Sequence, residues 1–283
     1  MAGRTIPWTV LTRTMAGLAL AVVAATPASA HPGIGIVMDR DGSVFYTDLT
    51  HVWRIAPDGT KSIAVRDVHT HELYLDPQGT LHGEHLWFAN ERWFHYTWQL
   101  TARGALTRSP QREGFRQGMS FVRDGAGRMF WYEAAPTPAI VRRSTDGRTT
   151  RFGERATFLD VRWMTATSDG AVYFTDHDDL RTLTTDGAVM TLATGLRDRA
   201  DHWVGGVWLD ARRRVYVAVW GGRVVKRFDP ASGRVEVVAR SQAPWGPSGG
   251  LAAPNGDLWL LETAEDNTVR VRRISPDGRE RIF

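Results

Sequence analysis

Residues 168–176 read SDGAVYFTD, and this stretch decides the fold because variants of it recur along the chain. Each copy combines a turn, which usually contains glycine, with an apolar strand and often a closing acid. A period of about 43 residues that holds several short strands is typical of a β-propeller, whose blades bury their faces against two neighbours. The other five copies are RDGSVFYTD at 40–48, PQGTLHGEH at 77–85, GAGRMFWYE at 125–133, ARRRVYVAV at 211–219 and PNGDLWLLE at 254–262.

The first repeat unit also contains the further strands that a blade needs. Strand signals start near Gly33, Ser43, His51 and Lys61, with turn residues between them. The last unit ends in a short fourth strand at the C terminus. We therefore predict an all-β, six-bladed propeller of four-stranded blades over residues 31–283, with the blades in simple chain order.

Residues 1–30 have the features of a secretory signal peptide. A positively charged start precedes an apolar run at 15–25 that is too short to span a bilayer, and 28–30 read Ala-Ser-Ala, a small-residue cleavage site. Cleavage there predicts a secreted or periplasmic protein without membrane attachment, whose first residue is His31.

The composition excludes several classes of function. The chain has no cysteine, so we expect no disulfide, and any metal site must use nitrogen and oxygen ligands. The formal net charge of +4 comes with arginines that are scattered among acids, which gives no electrostatic footprint for nucleic acid. We expect a monomer that acts on a small molecule or a carbohydrate.

His31 is a candidate metal ligand because signal cleavage would expose its α-amino group beside its imidazole. The next residue is Pro32, which has no backbone N–H, so a metal cannot displace an amide proton there. The amine and the ring nitrogen of His31 remain as ligands. Since the amine must lose its proton to bind a metal, the affinity should fall as the pH drops.

Histidines of the second repeat unit should reach the same mouth of the channel as His31. The starts of the innermost strands and the ends of the second strands meet at that mouth, which places His71 and His85 at its rim. His69 has the same strand parity as His71, so both imidazoles can face the channel. Imidazole-rich sites suit copper or zinc. We predict a mononuclear site of His31 and His71, with His69 or His85 as an alternative third ligand or a fourth.

Other residues near this rim are candidates for supporting roles. Glu84 and Glu72 are interleaved with the histidines and suit a general base or a group that orients a ligand imidazole. Arg162 is a candidate anion clamp, with a salt bridge to an acid as the alternative. Three tryptophans that fall near strand starts would form a stacking floor for a sugar or an aromatic substrate: Trp163, Trp203 and Trp245.

The segments GIGIVMDRDGSVFYTD and ATSDGAVYFTD resemble NHL-repeat and streptogramin-lyase-like propellers, and the wider gluconolactonase and regucalcin superfamily. The resemblance covers residues 31–283 and implies six blades. Members of that superfamily usually hold a calcium-type ion with Glu, Asn and Asp side chains at innermost-strand starts. Calcium takes about six to eight oxygen ligands, and because such ligands are missing here a softer transition metal is favoured. The matching positions are 31–33 (His-Pro-Gly), 162–163 (Arg-Trp), 205–206 (Gly-Gly) and 248–249 (Ser-Gly).

An N-terminal histidine chelate joined by a second histidine also resembles the histidine brace of lytic polysaccharide monooxygenases and related copper proteins. That resemblance implies copper at His31 and His71, and hence oxidation of a small substrate as the first hypothesis. The second is a zinc-type hydrolase or lyase with Glu84 or Glu72 as general base. The third is a propeller that binds a carbohydrate or peptide without catalysis. The structural alternative for the histidines is a polar rim that holds water.

Overall fold

The structure is a computed structural model that describes residues 33–113, 121–199 and 202–283. These residues form six antiparallel sheets arranged in chain order. The predicted signal peptide and His31 lie outside the described residues. None of the described residues form a helix with the length and apolarity that a membrane span requires.

The strands follow one another blade by blade, each pairing with the next. The first three blades comprise β1 (Ile36–Met38), β2 (Val44–Thr47), β3 (Val52–Ile55), β4 (Lys61–Val65); β5 (Tyr74–Leu75), β6 (Leu81–Ala89), β7 (Arg92–Leu100), β8 (Leu106–Arg108), β9 (Arg112–Glu113); and β10 (Phe121–Arg123), β11 (Met129–Glu133), β12 (Ala139–Arg143), β13 (Thr149–Phe152). The last three comprise β14 (Val161–Ala166), β15 (Val172–Asp176), β16 (Asp179–Leu183), β17 (Val189–Ala193); β18 (Val204–Leu209), β19 (Val215–Val219), β20 (Val224–Asp229), β21 (Arg234–Arg240); and β22 (Gly246–Ala252), β23 (Leu258–Thr263), β24 (Val269–Ile274), β25 (Glu280–Ile282).

The predicted six-bladed propeller is confirmed, with one departure in the second blade. Five blades have four strands, whereas the second has five among the described residues. The cause is the length of β6 and β7. They have nine residues each and form a hairpin that extends beyond the other strands of the blade. Because β7 is so long, it pairs with β8 near its end and with β9 opposite Phe94 and His95.

The repeat pattern sits where the innermost strand turns back into the second strand. Gly170 adopts φ +95 and Gly42 φ +84, a left-handed conformation that glycine reaches without steric cost. In the fifth copy Arg213 takes the same conformation at φ 59. The first residue of each turn closes it by accepting a backbone hydrogen bond, as Asp124 does from Gly127 over 2.9 Å. The pattern therefore marks the turn-side mouth of the channel.

Apolar side chains of adjacent blades form the core, and one cluster closes the ring. Ile36 and Tyr46 of the first blade pack with Trp259, Leu261 and Val271 of the last. The ring of Phe283, the C-terminal residue, stacks on Trp259 with centroids 5.4 Å apart. The first and last blades are thus joined by side-chain packing.

Innermost strands approach one another closely at the opposite, strand-start mouth. A Cβ added at Gly249 would lie 2.3 Å from the carbonyl oxygen of Ile34, and one at Gly206 would lie 2.8 Å from the carbonyl oxygen of Ser248. The Ser248 hydroxyl, which is fully buried, donates to the Gly33 carbonyl over 3.0 Å. The blades therefore meet backbone to backbone, which only glycine permits.

Replacing Gly249 by alanine should destabilise the propeller. The added methyl group would meet the Ile34 backbone, so we expect the free energy of unfolding to fall by about 2 kcal/mol or more. Chemical denaturation measures the change. Gly125→Ala is the matched control, since a Cβ there comes no closer than 3.2 Å to Ser168. Equal stabilities for the two variants would contradict the close approach.

Candidate functional site

Two of the predicted site residues meet at the strand-start mouth. His69 and His71 lie in the extended segment between β4 and β5. Their Nε2 atoms are 2.7 Å apart, and their ring centroids are 4.7 Å apart. His71 is 7% exposed. The equal parity of the two residues therefore places their imidazoles on one side of the segment, in contact with each other.

The backbone around Thr70 holds this pair in place. The Thr70 hydroxyl donates to the Glu84 carbonyl and accepts from the Trp98 indole over 3.0 Å. The Thr47 hydroxyl donates to the Thr70 carbonyl over 2.7 Å. All three partners are buried, so the segment that carries the histidines is fixed from two neighbouring sheets.

His85 supports the backbone of His69 through Nδ1, so this nitrogen is not available as a further metal ligand. Its Nδ1 accepts the backbone N–H of His69 over 2.8 Å. In the fourth blade Asp176 does the same for the backbone N–H of Asp160, over 2.7 Å at the same sequence separation. The histidine that replaces an acid at this repeat position thus keeps the acid's role as a hydrogen-bond acceptor.

Burial lowers the pKa values of two of these imidazoles. For His69 the cause is burial, opposed by a hydrogen bond with the Leu49 backbone. For His85 burial is the main cause, followed by the charges of His69 and Arg108. The ring of His85 is packed against Trp87 and Tyr96, with centroids 5.0 and 4.8 Å away. Both imidazoles therefore favour the neutral form, which has a nitrogen lone pair to offer.

The predicted supporting acids lie apart from His85. Glu84 precedes His85 in β6, so its side chain points to the other face of the sheet. There the Glu84 carboxylate is 3.9 Å from His95 Nε2. Glu72 lines the central cavity instead. The structure therefore separates the Glu84 carboxylate from the His85 ring, and its role as a general base stays a prediction.

Arg162 and the three tryptophans do not form the predicted anion clamp and stacking floor. Arg162 pairs with Asp160 at 2.8 Å, and these two residues occupy the repeat positions of His71 and His69. Trp163 is 1% exposed and packs in the core between the fourth and fifth blades. The two other tryptophans have partners of their own: Trp203 stacks on Trp220, and Trp245 lies under the Arg270 guanidinium.

At this mouth, the metal ligands that the described residues offer are the imidazoles of His69 and His71. No group of three or more histidine or acidic side chains that could hold an ion is found in the described part of the chain. The positions where the superfamily resemblance implies oxygen ligands carry Arg162, Gly205 and Ser248. The innermost strands of these blades have register shifts at these points. These positions offer no carboxylate, so calcium does not fit them.

A central cavity of about 500 Å³ runs between the innermost strands of all six blades. Its wall combines apolar side chains from every blade with polar groups, most of which come from the second and third blades. Tyr74 donates its hydroxyl to the Asp124 carbonyl over 3.1 Å, and His82 Nε2 lies 2.9 Å from Asp76 Oδ2. The volume is in the range of small-molecule sites.

Sequence reasoning missed two features of this region. One is Arg123, a cationic residue of the cavity wall. The other is a row of aromatic rings on one face of the β6–β7 hairpin, where Trp87 stacks on Phe94 with centroids 5.6 Å apart. The long spacing between Gly79 and Gly127 and the alternation in WFANERWFHYTW could have indicated this extended hairpin.

Comparison with known proteins identifies the fold. No protein-family model matches the chain, and no curated protein matches it in sequence. Among solved structures, it is similar to a catalytically inactive variant of virginiamycin B lyase from Staphylococcus aureus with quinupristin. The two share 15% identity with a TM-score of 0.58, over 91% of this chain and 85% of that one.

Two further solved structures have the same architecture. A protein described as a gluconolactonase is 15% identical with a TM-score of 0.58, over 87% of this chain and 89% of that chain. The calcium-binding protein regucalcin from Agrobacterium tumefaciens is 15% identical with a TM-score of 0.51, over 82% of each chain. This is a six-bladed propeller with structural neighbours of the streptogramin lyase, gluconolactonase and regucalcin type. At such identities the likeness shows the fold.

The lowered pKa values predict a dependence of stability on pH. Above about pH 6.5, the usual value for histidine, both the folded and the unfolded chain hold these imidazoles neutral. As the pH falls below it, the unfolded chain takes up protons that His69 and His85 resist, so the free energy of unfolding falls.

A variant with His69→Gln and His85→Asn should therefore lose less stability than the wild type between about pH 7.5 and about pH 5. The amide oxygen of Asn can take over the acceptor role of His85 Nδ1. Urea unfolding at each pH measures the difference, and His177→Asn, at an exposed histidine, is the control. Parallel pH profiles for all three proteins would show that the two imidazoles titrate normally.

Proposed function

We propose that this propeller is an exported, metal-dependent enzyme that binds a divalent transition metal at His69 and His71 and acts as a lyase or hydrolase on a small molecule. The observation that carries the proposal is the 2.7 Å approach of the two Nε2 atoms at a buried mouth of the channel. Export follows from the signal-peptide features of residues 1–30, and it stays a prediction.

The pair must open before it can hold one ion. Zinc–imidazole bonds are about 2.0–2.1 Å long and zinc sites are tetrahedral, so two ligating nitrogens are about 3.3 Å apart. The observed separation of 2.7 Å is shorter, so metal binding requires the two Nε2 atoms to move apart by about 0.6 Å. The fixed backbone at Thr70 keeps both rings aimed at the same point.

The donor type favours zinc or copper over calcium. Imidazole nitrogens suit zinc and copper, whereas calcium takes oxygen ligands. Burial lowers the pKa of His69, and a neutral imidazole is the form that binds a metal. The third ligand predicted from the sequence is His31, two residues before Gly33. Copper-dependent oxidation depends on that residue and stays a hypothesis beside the zinc-type reaction.

The fold neighbours favour lyase or hydrolase chemistry over oxidation. One is a lyase that was crystallised with quinupristin, and another is described as a gluconolactonase. A bound divalent ion supplies Lewis acidity to such reactions. His69 and His71 would hold it, and His85 would position His69 through the backbone N–H.

A metal-free acid–base pair is the second candidate. The 2.7 Å separation is also a normal hydrogen-bond length, with one Nε2 donating its proton to the other. One imidazole can take a proton from carbon while the other, which carries a proton, gives one to the leaving group, and these two transfers balance an elimination. The two candidates differ in their response to chelators.

The metal proposal predicts that the purified protein binds zinc or copper with His69 and His71. His69→Gln and His71→Gln should each weaken the affinity by more than about 100-fold, since changes of even outer-shell partners cost about 10- to 100-fold. Elemental analysis and titration of the chelated protein with each metal measure this.

His177→Asn, which alters an exposed histidine paired with Asp178, is the matched control for these variants. It should bind metal as the wild type does. Undiminished affinity in both glutamine variants, or binding of calcium in preference to zinc and copper, would refute the proposed ligands.

The reaction class predicts turnover of lactones or cyclic esters. A panel of such compounds, followed by release of acid or by mass spectrometry, should show activity that a chelator abolishes and zinc or copper restores. His71→Gln should be inactive under both conditions. Activity that survives chelation but is lost in His71→Gln would favour the acid–base pair. Binding without turnover would favour the non-catalytic alternative.

A further inference from the structure

At one repeat position on the cavity wall, the chemical type of the side chain differs between the blades. The last residue of each innermost strand pairs with the first residue of the second strand, and all six of these residues line the cavity. Five are aliphatic or thioether side chains, and the third blade alone has a cation. The six are Met38, Leu75, Arg123, Ala166, Leu209 and Ala252.

Arg123 forms no ion pair with any residue that the structure describes, and its buried Nε has no hydrogen-bond partner. Its guanidinium lies over the Tyr74 ring, 6.0 Å from the centroid. Burial lowers the pKa of Arg123 and the like charge of Arg143 adds to that effect, whereas Tyr74, Asp76 and Glu84 oppose it. An arginine stays protonated, so the cavity wall carries a positive charge that acids act on only from a distance.

The nearest acids are engaged elsewhere. Asp76 accepts the backbone N–H groups of Gln78 and Thr80 and lies 2.9 Å from His82 Nε2. Asp124, the neighbour of Arg123 in sequence, pairs with Arg128. Two glutamates complete the acids of this region: Glu84, near His95, and Glu72 on the cavity wall. None of the four forms an ion pair with Arg123.

We infer that Arg123 binds the anionic head group of a small ligand whose apolar body occupies the aliphatic part of the cavity. A guanidinium binds carboxylate and phosphate oxygens through two parallel hydrogen bonds, and these are strong where water is scarce. The five aliphatic positions at the same level supply the apolar contacts. The inference needs neither the metal nor the histidine pair, and it adds a substrate class to the proposed function.

The residues at the equivalent positions of the other blades suggest the variant for the test. Arg123→Leu installs the residue that the second and fifth blades carry at this level, so the fold should accept it. Because it removes a half-buried charge that has no ion-pair partner among the described residues, the variant should unfold at the same denaturant concentration as the wild type or a higher one. A structural arginine would behave in the opposite way, since its loss would leave a partner unpaired.

The binding test uses metal-free protein and three probes with the same apolar chain: hexanoate, hexyl phosphate and hexan-1-ol. Calorimetry should show that at least one anion binds the wild type about tenfold or more tightly than the alcohol. Arg123→Leu should lose this preference, Arg123→Lys should keep part of it, and Arg148→Leu, at an exposed arginine, should keep all of it. The two anions distinguish a carboxylate ligand from a phosphate.

Three results would overturn the inference. These are equal affinity for the alcohol and both anions, unchanged anion binding in Arg123→Leu, and a marked loss of stability in the ligand-free Arg123→Leu variant. Metal removal does not enter any of these measurements. Failure of the anion site is therefore distinguishable from failure of the metal site.

Discussion

The chain segment at 33–35 connects the closure of the ring to the histidine pair. On one side, the Gly33 carbonyl accepts the buried Ser248 hydroxyl, and the Ile34 backbone lies against Gly249. On the other side, the backbone N–H groups of Ile34 and Gly35 both donate to the His71 carbonyl, over 3.0 and 2.8 Å. Because each blade is built from consecutive strands, this backbone contact and the apolar cluster of the first and last blades are what join the ring. A change that opens the closure therefore also displaces His71.

The second blade differs from the others because its long hairpin extends past the strand-start mouth. From β6, His85 begins a row of rings that continues through Trp87 to Phe94 and Tyr96 of β7. The row starts at the residue that holds His69 by its backbone N–H. Aromatic packing therefore fixes the orientation of His85, and through it the position of the buried imidazole pair. The extra strand β9 is a consequence of the same length, since it pairs with the part of β7 beyond the four-stranded blade.

The sequence predicts the propeller well because the repeat period is marked by turn residues, and these can be recognised from the local sequence alone. Gly42 and Gly170 occupy left-handed positions that few residues tolerate, so the six turns are visible without knowledge of any contact. The meeting of His69 and His71 is also predictable, since it needs only strand parity and the rim position. Trp163 is different, because whether an aromatic residue near a strand start is core or surface depends on how the neighbouring blade packs. The sequence neighbours Glu84 and His85 point to opposite faces of β6 because side chains alternate along a strand, so proximity in sequence does not place both at one site.

A residue that departs from a structural repeat indicates function only when it no longer forms the contacts that the repeat forms at that position. His85 replaces an acid, but its Nδ1 accepts the same backbone N–H that Asp176 accepts in the fourth blade, so the substitution preserves a structural role. The His69–His71 pair likewise occupies the positions of the Asp160–Arg162 ion pair, with a contact between side chains in both blades. What changes there is the chemistry, because a pair of imidazoles can bind a metal or transfer a proton and a closed ion pair cannot.

Arg123 is a departure that does not preserve the role of the repeat position. It places a charge where five blades have an apolar side chain, and the described structure gives that charge no counter-ion. A half-buried charge without an ion-pair partner lacks part of its solvation, which a bound group can replace, and the cavity that it faces is where such a group can bind.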